Sequence, residues 1–201
     1  MGVEALSAND IWAVGSFQNT VDPIQTLIER WNGSSWSVVP SPDPGVSAAN
    51  YLSGIDAVSA NDIWAVGAFQ NTGTVGLNTL IEHWNGSNWS VIPSPNPSSG
   101  AAYNTLNAIK AVSANNIWAV GYTESATSNP NQTLSDTLIE HWNGSNWSIV
   151  PSPNPNALNV NYLRSVAAVS TNDIWIVGQF QTGAGFHEPD TFQTLIEHIT
   201  M

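Results

Sequence analysis

Residues 62 to 69 read DIWAVGAF, and the same core returns as DIWAVGSF from residue 10, NIWAVGYT from residue 116 and DIWIVGQF from residue 173. Read as an extended strand, Ile63, Ala65 and Gly67 alternate with Trp64, Val66 and Ala68, so both faces are apolar. Such a strand belongs in a sheet that is covered on both sides. The flanks of this core repeat as well. Residues 84 to 97 read WNGSNWSVIPSPNP, with WNGSSWSVVPSPDP from residue 31 and WNGSNWSIVPSPNP from residue 142. The period is about 52 to 58 residues, which gives four copies at about 2–51, 52–105, 106–162 and 163–201.

Each copy divides into four short β-type runs. In the second copy, strand A is GIDAVS at 54 to 59, strand B is DIWAVGAF at 62 to 69, strand C is TLIEHW at 79 to 84 and strand D is NWSVIP at 88 to 93. SAND, or STND in the last copy, separates A from B, where Asn and Asp favour a tight turn by bonding their own backbone. Asn-Gly separates C from D and signals a hairpin. No segment carries a helical period. The pattern predicts an all-β chain: a β-propeller of four-stranded antiparallel blades packed face to face, forming a single domain or part of one over 1–201. A β-solenoid fits less well, because its repeats are shorter and lack internal hairpins. The last blade lacks its outer strand, since TLIEH at 194 to 198 is followed by Ile199 where the other copies have Trp.

The residues resemble kelch-type propeller repeats. IWAVG looks like the glycine-ended second strand of that repeat, Trp31, Trp84 and Trp142 stand at its third-strand aromatic, and Trp36, Trp89 and Trp147 at its fourth-strand tryptophan. The kelch double glycine is single here, at Gly15, Gly67, Gly121 and Gly178, and the hairpin between the two aromatics is shorter. The resemblance implies a bacterial surface protein of the exported type. The tryptophans are expected to pack between sheets rather than to stack on a ligand.

Composition narrows the function. Three basic residues oppose fifteen acidic ones, for a net charge of −12, which removes the attraction that nucleic acid and anionic membranes require. There is no cysteine, so thiolate metal sites and the cross-linked copper centre of galactose-oxidase-like propellers are excluded. Two arginines are too few for the carboxylate-binding cluster of sialidase-like propellers. Polar positions rich in Asn, Ser, Thr, Gly and Pro suit a secreted or cell-surface protein, whose leader is absent from this chain, and no run is long enough to insert in a membrane.

The spacing locates the variable part. Trp31 to Trp64, Trp84 to Trp118 and Trp142 to Trp175 are 33, 34 and 33 residues apart, so the connection from B to C absorbs the length changes. It reads SFQNTVDPIQ, AFQNTGTVGLN, YTESATSNPNQTLSD and QFQTGAGFHEPDTFQ. This connection and the D to A linkers share one face, where recognition is expected. Candidate ligand-binding residues there are Gln18, Asn19, Asn71, Tyr122, Glu124, Gln181, His187, Glu188 and Asp190. No catalytic residue, metal site or cofactor is assigned. FHEPD at 186 to 190 is a poor metal site, and the acids Glu124, Glu188 and Asp190 offer only a weak hydrolase. Glu29, Glu82, Glu140 and Glu197 recur once per copy and read as structural carboxylates bonded within their own blade. Asp10, Asp62 and Asp173 read as turn formers, and the Asn-X-Ser/Thr sequons as hairpin chemistry.

The function expected is a non-enzymatic binding module for carbohydrate or protein. The alternative is a structural or assembly protein in which half-propellers associate, with no small ligand. Apolar end faces and the incomplete last blade predict a homo-oligomer, with two chains forming an eight-bladed ring favoured.

Overall fold

The computed structural model describes residues 1–46, 48–73, 76–97, 103–126, 133–155, 160–182 and 191–200. Each repeat forms an antiparallel meander in sequence order. The first comprises β1 (Gly2–Ser7), β2 (Asp10–Phe17), β3 (Gln25–Trp31) and β4 (Trp36–Val38), and the second β5 (Asn50–Ser59), β6 (Asp62–Gln70), β7 (Leu77–Trp84) and β8 (Trp89–Val91). The third comprises β9 (Tyr103–Ser113), β10 (Asn116–Ala126), β11 (Thr133–Trp142) and β12 (Trp147–Val150), and the fourth β13 (Asn161–Ser170), β14 (Asp173–Gln181) and β15 (Phe192–Thr200). No helix occurs among the described residues. The expected strands are present, and strand A begins earlier than the sequence pattern suggested, at Asn50 in the second repeat. The second and third repeats are not separate sheets: a parallel bridge from Leu77 to Tyr103 joins them into one of eight strands. The fourth repeat is a three-stranded sheet.

Turn chemistry accounts for the hairpins. Gly33, Gly86 and Gly144 take φ of 96°, 93° and 94°, a conformation that a side chain would strain. Beside each, an Asn side chain closes the turn: Asn32 Oδ1 accepts the backbone N–H groups of Ser34 and Ser35 at 3.0 Å, and Asn85 and Asn143 do the same in their copies. The A to B turn differs from expectation. There the serine hydroxyl is the acceptor, with Asn9, Asn61 and Asn172 donating their N–H to Ser7, Ser59 and Ser170.

The linker sentence PSP(D/N)P also has a local cause. Thr26 donates its N–H to Asp43 at 2.8 Å and its hydroxyl meets Ser41 at 2.7 Å. Thr79 pairs likewise with Asn96 and Ser94, and Thr137 with Asn154 and Ser152. Each linker is thereby clamped to strand C of its own repeat. A second peg joins consecutive repeats. The buried amides of Asn50, Asn104 and Asn161 donate to the carbonyls of Ile24, Leu77 and Ser135 in the repeat before.

Three apolar cores lie between successive repeats. In the first, Trp12, Val14 and Ile28 meet Leu52, Ile55, Ile63, Ala65 and Leu80. In the second, Trp64, Val66 and Ile81 meet Leu106, Ile109, Ile117, Ala119 and Leu138, and in the third Trp118, Val120 and Ile139 meet Leu163, Val166, Ile174 and Ile176. The odd and even positions of β6 therefore serve different cores, which is what its two apolar faces require. The strand-B glycine makes close approach possible. A Cβ on Gly67, Gly121 or Gly178 would lie 1.9 Å from the carbonyl oxygen of Tyr51, Thr105 or Tyr162, where the A to B register shifts by a bulge. At Gly15 the nearest atom is the flexible side chain of Met1 at 3.3 Å. Gly121→Ala should cost about 3 kcal/mol in urea unfolding and Gly15→Ala less than about 1 kcal/mol. Equal costs would show that the bulge is not the constraint.

Candidate functional site

The third and fourth repeats bring four aromatic and charged side chains together toward the variable end. Tyr122 and Glu124 lie on β10, opposite Thr105 and Tyr103 of β9. Tyr162 and Arg164 come from β13, which packs beside β9 and β10. The Tyr162 hydroxyl donates to Glu124 Oε1 at 2.8 Å, the two tyrosine rings meet edge to face at 4.4 Å, and the Arg164 guanidinium lies 4.7 Å above the Tyr162 ring. Burial, reinforced by Glu124, pushes the Tyr162 phenol up to about 12, and burial raises Tyr122 as well. Both phenols thus remain protonated donors at neutral pH. The cluster presents an aromatic surface, phenolic donors, a carboxylate acceptor and an exposed guanidinium, a set suited to the hydroxyl-rich faces of sugars.

Of the sequence-predicted residues, the structure joins Tyr122 and Glu124. Gln18 and Asn19 close their own connection, donating to the Asp22 backbone oxygen at 3.4 Å and to Asp22 Oδ2 at 3.2 Å. Asn71 is exposed after β6, and Gln181 ends β14 with its N–H on the Val160 carbonyl at 2.9 Å. His187, Glu188 and Asp190 lie outside the described residues. Tyr162 and Arg164 are the residues that sequence reasoning missed. Their signal was present: Arg164 is one of two arginines, and Tyr162 follows a recurrent asparagine as Tyr51 does.

The turn acids do more than form turns. Asp62 Oδ1 holds His83 Nε2 at 2.8 Å and Trp64 Nε1 at 2.7 Å, and the His83 ring stacks on Trp64 at 4.2 Å. Asn116, His141 and Trp118 repeat the arrangement, and in the fourth repeat Asp173 holds His198, which stacks on Trp175. In the first repeat Arg30 takes the histidine's place, held by both oxygens of Asp10 and lying 4.9 Å over Trp12. Each strand-B tryptophan is therefore braced from strand C. Cross-strand register explains it, since Trp64 faces His83 and Trp118 faces His141.

No protein-family model matches this chain, and no curated protein matches its sequence.

The recurrent glutamates depart from expectation. Among the described residues, no hydrogen bond holds Glu82, Glu140 or Glu197 within its own repeat. Glu197 accepts from the Ser152 hydroxyl of the preceding linker at 2.8 Å, and both oxygens of fully buried Glu82 lack a hydrogen-bond partner among the described residues. Burial pushes Glu82 up to about 8, helped by Asp43 of the first linker, and burial pushes Glu140 up to about 8 against the opposing pull of Ser94. Both carboxyls are protonated at neutral pH, which avoids an uncompensated charge between sheets. The folded chain then holds protons that the unfolded chain releases above the ordinary value of 4.5. Stability is fully present below 4.5, falls as pH rises toward about 8 and levels off beyond it. Replacing both with glutamine should flatten this fall and raise the urea midpoint on the alkaline side. An unchanged slope would show that these groups do not carry it.

Proposed function

We propose that this chain is a non-enzymatic recognition module, an exported propeller-type scaffold of kelch-like repeats that binds carbohydrate through its variable end. The carrying observation is the cluster of Tyr122, Glu124, Tyr162 and Arg164, where two phenols stay protonated beside a carboxylate and a guanidinium. A sugar is recognised by apolar contact with aromatic faces and by convergent donors and acceptors, and this cluster combines them. The scaffold reading rests on meanders stacked through three inter-repeat cores, with the linkers clamped by Thr–Ser pairs. Uniform repeats give stiffness, and differing connections give selectivity.

A glycan array followed by calorimetric titration of the best binder is the test. Glu124→Gln and Arg164→Ala should each weaken that binding at least tenfold, or about 1.4 kcal/mol, while the thermal midpoint stays near that of the parent chain. Silence across the array overturns the carbohydrate reading, and capture of a protein ligand by the same cluster would replace it with protein recognition.

A further inference from the structure

Inside the chain, the first two of the three junctions between repeats use the same aromatic joint, and at the third Trp118 is buried in a core against which Ile199 packs. Trp12 is received by Trp84 at 5.2 Å and 54° and by Trp89 at 5.8 Å and 73°. Trp64 is received by Trp142 at 5.3 Å and 50° and by Trp147 at 5.8 Å and 72°. The receiving pairs are themselves alike, Trp84 and Trp89 at 5.9 Å and 44°, Trp142 and Trp147 at 5.8 Å and 43°.

The first repeat builds that receiving pair again and leaves it unfilled. Trp31 and Trp36 stand 5.9 Å apart at 48°, no third tryptophan joins them among the described residues, and Trp36 is 45% exposed. At the other end the fourth repeat builds an unreceived tryptophan. Trp175 is 41% exposed, yet it is braced like its buried counterparts, stacked on His198 at 4.1 Å with His198 held by Asp173 at 2.7 Å. Its neighbours Val177 and Ile196 are 40% and 60% exposed, whereas Val66 and Ile81 at the same positions of the second repeat are fully buried. The two end faces are thus complementary halves of one junction.

We propose that a second copy of this chain covers both faces, the Trp175 of each copy seating in the Trp31–Trp36 cleft of the other. The occupant is a second copy because each half is specified in this sequence and its mate is specified at the opposite end, so the contact continues an interface the chain already makes internally. Two such contacts close a pair with two-fold symmetry. The joint is apolar while each chain carries a net charge of −12, so added salt should strengthen the pairing by screening the repulsion. The pairing goes beyond the recognition role and does not depend on it.

Light scattering on chromatographed protein reads the outcome directly. Across the micromolar range the parent chain should approach twice its 21.5 kDa mass. Trp36→Glu and Trp175→Glu should each weaken association at least tenfold, and mixing the two variants should restore a two-chain species, because the mixture regains one intact joint. Val38→Lys and Ile196→Lys, also at exposed positions, repeat the comparison if a tryptophan variant loses its fold as judged by circular dichroism. A parent chain that remains a monomer throughout, or a single variant that pairs as tightly as the parent, overturns the proposal.

Discussion

The constraint on which the rest depends is the two-faced strand B. Its odd and even side chains must both leave water, and an antiparallel sheet of this width can satisfy that only by stacking on another sheet on each side. The tryptophan joint solves the geometry. A large ring from one repeat enters a pair from the next, and the same strand offers a glycine where its neighbour's backbone must come within a distance that excludes a Cβ. Size and absence of a side chain are thus used at adjacent points of one strand. The asparagine pegs then set the register between consecutive repeats, because a buried amide that lost its carbonyl partner would be costly.

On this frame, polar chemistry is sorted by burial. Charges near solvent are used to brace, Asp62 on His83 and Asp10 on Arg30, while buried Asp56 is compensated by Lys110 and the Ala111 N–H. Carboxyls placed between sheets are neutralised by protonation instead, as at Glu82 and Glu140. The variable end belongs to neither regime. There Tyr122, Tyr162, Glu124 and Arg164 keep donors, acceptor and charge within reach of solvent, and the same backbone positions in other repeats carry different residues, among them Ala68, Thr105, Gln70 and Ser53. Diversity at fixed positions on a repeated frame is how such a scaffold can acquire a specific surface without altering its cores.

The chain by itself determined what depends on near neighbours. Alternating apolar residues around Trp64 specify a strand with two buried faces, Asn-Gly after Trp84 specifies the hairpin, and the recurrence of both specifies the number of repeats. Tertiary structure decided what depends on partners distant in sequence. Glu82 reads the same as any strand glutamate until the fold buries it near Asp43 of the preceding linker, and Asp62 reads as a turn residue until antiparallel register brings His83 to it. Tyr122 and Tyr162 are forty residues apart and meet only because β13 packs beside β10. Even the difference between buried Trp64 and exposed Trp175 is invisible locally, since both follow Asp-Ile and are followed two residues on by Val-Gly, and the sheet packed against Trp64 distinguishes them. Periodicity and turn chemistry act over a few residues, whereas burial, protonation and site assembly are set by which sheets meet.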